Sequence, residues 1–238
     1  MKKVIYISGS GRTATTMWSI LISSQLKIQN LSQSRDYFSA VYNKKTCSCG
    51  LMAYECYEAG RNFQHKQTTR TKRKILSYLF TVTHLVNELK GCGLSVDASK
   101  SVRHLLLIAI ITLKRPIVLE FLRPQDEIDA SWRKRGRSED FIRRLRKKGV
   151  KRKKLLQFLA AVKIIDKKTH DFSLALKNPD LVLNDLIETT MSSTFTITNP
   201  ERHYEVLPGT QHIFPPADPK YLHNILEVKV NGKLKIPL

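Results

Sequence analysis

The sequence predicts an α/β fold: a three-layer sandwich with a central parallel sheet and helices on both of its faces. Three observations predict it. Apolar, β-branched runs at residues 3–7 and 117–122 read as buried strands. Segments of helical recurrence lie between such runs, in alternation. A glycine- and serine-rich loop joins the first strand directly to the first helix.

Taken in order, Val4-Ile5-Tyr6-Ile7 forms the first strand and Ser8-Gly9-Ser10-Gly11 ends it. Thr15 to Leu26 follows as a helix, with Met17, Trp18, Leu21 and Ile22 at helical spacing. Residues 27–73 are polar and irregular and read as an insertion, with Cys47-Ser48-Cys49-Gly50 inside it. Residues 74–90 give the clearest amphipathic helix: Ile75, Leu76, Leu79, Val82, Leu85, Val86 and Leu89 recur at threes and fours, and Gly91 caps its end. Leu94-Ser95-Val96 is a short strand that runs into Asp97-Ala98-Ser99-Lys100. A helix from Ser101 stops before Pro116, and the strand Ile117 to Leu122 comes next. The helix after Pro124 carries Ser131 and Trp132. A basic helical segment spans about residues 133–155, and Thr194 to Thr198 reads as a further strand. No repeat divides the chain, so residues 1–238 are read as one domain.

The chain has 238 residues, enough for one α/β domain with a full core. Lys and Arg number 41 against 20 Asp and Glu, a formal charge of +21. Such an excess attracts nucleic acid, acidic polysaccharide, anionic membrane or a phosphorylated cofactor, and charge alone does not choose among them. The apolar run after Met1-Lys2-Lys3 is too short for a secretory core, and Leu105 to Leu113 is far short of a membrane span. The expected location is the cytoplasm. Four cysteines in a chain this long do not make a disulfide scaffold.

The loop Gly9-Ser10-Gly11-Arg12-Thr13-Ala14-Thr15-Thr16 has the chemistry of a phosphate site. A helix N-terminus offers unbonded N–H groups and a partial positive charge, and glycines let the backbone wrap an anion. Arg12 adds a fixed cation; Thr13, Thr15 and Thr16 add hydroxyl donors. The loop is P-loop-like in position, but no Gly-Lys-Ser/Thr run follows its first glycine at Walker spacing. The competing reading is a capped βα turn.

This loop resembles the 5′-phosphosulfate loop of sulfotransferases that use 3′-phosphoadenosine 5′-phosphosulfate (PAPS), of general form Gly-x-x-Arg/Lys-Ser-Gly-Thr-Thr. Arg12, Thr15 and Thr16 match, Thr13 keeps the hydroxyl of the usual serine, and Ala14 replaces a glycine. The family grips the 3′-phosphate with a strand-end arginine and a serine eight residues on; Arg123 and Ser131 have that spacing, and Trp132 follows. Where the family reads Arg-Asp-Pro-Arg, this chain has Arg123-Pro124-Gln125-Asp126, without the second arginine. Val96-Asp97-Ala98-Ser99-Lys100 is similar to the Val-Asp-Ser-Ser-Lys segment of carbohydrate and bacterial members, and Cys47-Ser48-Cys49-Gly50 with Cys56 to a cysteine element of bacterial ones. The matches keep family order over residues 4 to 132; beyond them, Pro208-Gly209-Thr210-Gln211-His212 is the best candidate for the distal nucleotide segment.

The resemblance implies transfer of a sulfuryl group from PAPS to a hydroxyl or amine, leaving 3′-phosphoadenosine 5′-phosphate, with no metal required. Gly11, Arg12, Thr13, Ala14, Thr15 and Thr16 would hold the 5′-phosphate, and Arg123 and Ser131 the 3′-phosphate. Arg12 and Lys100 would stabilise charge in the transition state, and Asp97 would be the general base. Asp97 equally suits a turn cap or an ion pair, and His104 reads as structural. Cys47, Cys49 and Cys56, with His65 as a fourth group, could bind zinc; a structural turn or free thiols is the alternative.

Residues 133–154 hold 13 Lys or Arg against Glu139 and Asp140, interleaved with Phe141, Ile142, Leu145 and Val150. This segment suits an anionic glycan or lipid acceptor, an anionic membrane, a nucleic acid, or simply a solvated face. Two other functions stay open. A P-loop-like kinase or hydrolase shares the strand, loop and helix but would need magnesium; a basic nucleic-acid-binding protein explains the charge but not the ordered motifs. A sulfotransferase relative that binds nucleotide without transferring also stays open.

Overall fold

The computed structural model describes residues 3–9, 15–26, 28–32, 70–89, 93–190, 204–205 and 234–235. Its centre is a five-stranded, all-parallel sheet in the order β2-β3-β1-β4-β5: β1 is Lys3–Ser8, β2 Gln29–Ser32, β3 Leu94–Asp97, β4 Ile117–Leu122 and β5 Asp166–Asp171. The α/β class expected from the sequence is what the chain adopts. Its helices are α1 (Thr15–Leu26), α2 (Arg70–Glu88), α3 (Val102–Thr112), α4 (Gln125–Arg133), α5 (Glu139–Ala161), α6 (Phe172–Lys177) and α7 (Pro179–Thr190). Two further short strands, β6 (Tyr204–Glu205) and β7 (Leu234–Lys235), pair with each other in parallel.

Alternation along the strands divides the core in two. Ile5, Ile7, Val96, Ile117, Leu119 and Phe121 face α1, α6 and α7. Val4, Tyr6 and Val118 face α2, α3 and α5. Trp18 of α1 stacks on Phe121 with ring centroids 4.6 Å apart, fixing that helix over the sheet. Apolar residues surround α1 on every side, as befits a helix covered by the sheet and touched by β6. Its buried serines are satisfied locally: Ser19 donates to the Thr16 carbonyl, Ser23 to that of Ile20, and Asn30 donates to the Ser23 hydroxyl.

The structure differs from the sequence reading in several places. Gln29–Ser32, assigned to the polar insertion of residues 27–73, is the edge strand β2. The amphipathic helix starts four residues before 74, at Arg70. The basic segment is a turn followed by one helix: α4 ends at Arg133, Gly136 turns the chain at φ +67°, and Ser138 caps α5 by accepting the Phe141 N–H. Strand β5 and helices α6 and α7 carry no counterpart in the sequence reading. The expected strand at Thr194 to Thr198 lies outside the described residues.

Candidate functional site

In an open parallel sheet, ligands bind beyond the carboxyl ends of the strands, where consecutive connections leave toward opposite faces. Here that place lies between β1 and β3. The chain leaves β1 toward α1 on one face and leaves β3 toward α3 on the other. Strand β4 flanks β1 on its other side, so the ends of β3, β1 and β4 form one edge, with neighbouring strands about 4.8 Å apart. Gly9 lies just past β1, Asp97-Ala98-Ser99-Lys100 at the end of β3, and Arg123 just past β4. The structure therefore brings three of the sequence segments to a common edge.

The β3 loop is built with care. Tyr6 of β1 pairs in register with Asp97. Its hydroxyl accepts the Ser101 N–H at 2.6 Å and donates to the Ser101 carbonyl at 2.9 Å, tying the loop to the central strand. Asp97 is fully buried; its Oδ1 accepts the Ser99 N–H at 2.7 Å and its Oδ2 lies 3.5 Å from His104 Nε2. Between these anchors Lys100 takes φ 59°, a left-handed conformation that costs a non-glycine residue about 1–2 kcal/mol. The surrounding hydrogen bonds hold it there.

Arg123 donates from Nε to Glu127 Oε2 at 2.8 Å, and its guanidinium lies 5.1 Å from the Phe172 ring centre. Glu127 and Ser131 are four residues apart on α4, so Arg123 lies along the helical stripe that carries Ser131. Trp132 packs edge-on against Phe141 at 5.5 Å, joining α4 to α5. Asp129, buried beneath them, receives hydrogen bonds from Arg146 and Gln125. Burial pushes its carboxyl up, but these bonds and the charges of Arg146 and Arg133 outweigh it and hold the group below the usual aspartate range.

Thr15 is buried and Thr16 half-buried in the first turn of α1, at the end of the glycine loop. Gly11, Arg12, Thr13 and Ala14 lie outside the described residues, as do Cys47, Cys49, Cys56, His65 and the segment 208–212. Among the described residues no three His, Cys, Asp or Glu side chains converge as metal ligands would.

Four residues at this edge were not singled out from the sequence. On the face covered by α3 and α5, Ser8 pairs in register with Glu120, one row beyond Tyr6 and Val118. Glu120 is 3% exposed and ion-pairs with Lys167 of β5 at 2.7 Å. Arg152 reaches down from α5 and donates from Nη1 to the Gly9 carbonyl. Burial pushes its guanidinium below the usual range, while Glu120 and Tyr6 act the other way. Its Nε is buried without a hydrogen-bond partner among the described residues. Tyr6, Glu120, Lys167 and Arg152 thus turn the carboxyl end of an otherwise apolar sheet face polar. The signals were present: Glu120 is a lone carboxylate in the apolar strand Ile117 to Leu122, and Arg152 falls on the stripe of Ile142, Leu145, Gly149, Leu156 and Leu159 that α5 turns toward the sheet.

This edge can hold an anion. A half-buried arginine bonded to the base of the glycine loop, and a lysine locked at the end of the next strand, supply charge and donors from fixed elements. Compared with known proteins, the chain matches no protein-family model and no curated protein.

Proposed function

We propose that the protein is a PAPS-dependent sulfotransferase that binds its donor across the carboxyl ends of β3, β1 and β4. The observation that carries this reading is the meeting of the Gly9 loop, the Asp97–Lys100 loop and Arg123 at the sheet's switch point, with Arg152 bonded to the Gly9 carbonyl. That arginine's unpartnered Nε is the feature that suits an anionic donor.

In this reading Gly11 to Thr16 cradle the 5′-phosphate at the start of α1, and Arg123 and Ser131 hold the 3′-phosphate along α4. Bound PAPS supplies the activated sulfuryl group. Arg12 and Lys100 stabilise charge that grows on the leaving group and the sulfuryl oxygens, so positioning and electrostatics carry the chemistry. Asp97 takes the proton of the acceptor hydroxyl or amine, with the Ser99 amide on its Oδ1 and His104 beside its Oδ2. The acceptor class is a carbohydrate or a lipid head group. The reaction itself calls for no metal.

The first test is calorimetric binding of 3′-phosphoadenosine 5′-phosphate at near-physiological salt, against ATP and AMP. Tight binding that needs the 3′-phosphate, needs no magnesium and is lost in Arg123→Ala supports the reading. Preference for ATP with magnesium would replace it with a kinase or hydrolase. Equal binding of every polyanion, abolished by salt, would replace it with a nucleic-acid-binding protein.

A further inference from the structure

The outer face of α5 takes no part in the site described. Lys147, Val150, Lys151, Lys154, Leu155 and Phe158 share an arc of about 140° on it, at about 100° per residue. That arc is centred opposite the stripe packed on the sheet, and all six residues are exposed. The three apolar members are large and well exposed: Phe158 at 58%, Val150 at 53% and Leu155 at 40%. Val162 and Ile164, also exposed, extend the patch just past the helix end. No acidic residue occurs between Asp140 and Asp166, so nothing within the segment neutralises its lysines.

We infer that this face docks on an anionic lipid bilayer, with α5 lying in the interface. A helix with lysines flanking exposed aliphatic and aromatic side chains matches such a surface twice: the ammonium groups meet lipid phosphates, and Phe158, Leu155 and Val150 enter the boundary of the acyl region. A nucleic acid would meet the lysines and leave the apolar side chains in water. A second copy of the chain would bring like charges together. No helix among the described residues is long and apolar enough to cross a membrane.

The test is co-sedimentation of the full chain with phosphatidylcholine vesicles, with and without roughly 30% phosphatidylglycerol, at near-physiological salt. The protein sediments with the anionic vesicles and not with the neutral ones. Partitioning falls about tenfold in Leu155→Ser/Phe158→Ser, and by a similar factor in Lys147→Gln/Lys151→Gln/Lys154→Gln. These side chains face solvent, so thermal melts of both variants match the parent, and binding of a single-stranded RNA is unchanged in the serine variant. Vesicle binding that survives the serine substitutions, or RNA that displaces the protein from vesicles at equal charge, overturns the inference. None of these outcomes depends on sulfuryl transfer.

Discussion

Arg152 of α5 donates to the carbonyl of Gly9, the first residue after the central strand, and so ties the basic helix to the base of the glycine loop. The contact spans 143 residues of sequence. It couples the geometry of the candidate phosphate site to a helix that the local motif does not include.

Replacing Arg152 separates its two roles. Arg152→Met keeps the aliphatic packing and removes the donors and the charge. Glu120 stays paired with Lys167, so stability changes by no more than about 1–2 kcal/mol, because a buried charge offsets much of its own Coulomb gain. Affinity for 3′-phosphoadenosine 5′-phosphate falls about tenfold or more, the scale of one lost charge-assisted bond. Arg152→Lys restores charge without the planar fork and recovers only part of the affinity. Calorimetry alongside urea unfolding checks both halves. Unchanged affinity in Arg152→Met would mean that the arginine holds the fold alone.

Asp97→Asn distinguishes a base from a loop anchor. The amide oxygen still accepts the Ser99 N–H, so the loop keeps its turn and stability changes by about 1 kcal/mol or less. If Asp97 takes the acceptor proton, kcat falls by about 10²–10⁴ with donor affinity intact. Single-turnover transfer from PAPS, paired with donor titration, reads the split. A variant that keeps its rate returns Asp97 to a structural role beside His104.

The ion pair of Glu120 and Lys167 joins β4 to the edge strand β5. Glu120→Ala leaves Lys167 against the sheet without its partner. Breaking a buried pair from one side costs roughly 3–5 kcal/mol, and the low end applies because Lys167 is 13% exposed and regains part of its hydration. Replacing both by leucine restores most of the loss. A urea-unfolding double-mutant cycle measures the coupling, and additive single losses would show that the two groups act independently.

The elements legible in the sequence are those whose local pattern and tertiary fate agree. Ile117 to Leu122 and Thr15 to Leu26 have the bounds read from their apolar spacing, because both are buried and end at Arg123-Pro124 and Lys27. Strand β5 was not legible: Asp166-Lys167-Lys168-Thr169-His170-Asp171 has no apolar alternation, since it is a sheet edge whose side chains pair with charges. Helices α3 and α5 stop at left-handed Leu113 and Lys163 rather than at glycine, so neither end carries a glycine signal, and only Pro116 bounds α3 in the sequence. Helices α6 and α7 do carry signals that the sequence reading passed over: an Asp171 cap, Pro179 at the first position, and Val182, Leu183, Leu186 and Ile187 at helical spacing. At the site, motif spacing found the segments that meet at the sheet edge. It missed Tyr6, Glu120, Lys167 and Arg152, because their partners are set by strand register and helix docking rather than by neighbours in sequence.

Stability should fall as pH drops below about 6.5, the ordinary histidine value, through His170. Burial between β5 and α7 pushes the His170 imidazole below that value; Asp185, 3.3 Å away, pulls it up, and Lys168 pushes it down. A folded pKa below the unfolded one means that the unfolded chain binds the proton more readily. Stability therefore rises with pH across the window between the two values, is fully present above about 6.5 and is lost as pH falls through the folded value. Urea midpoints from pH 8 to pH 5 should decline in the parent and decline less in His170→Gln, which cannot titrate. Lys168 still pairs with Asp185 in that variant, so its midpoint at pH 8 stays close to the parent's. Identical pH slopes in the two proteins would remove His170 as the source and point to the other histidines.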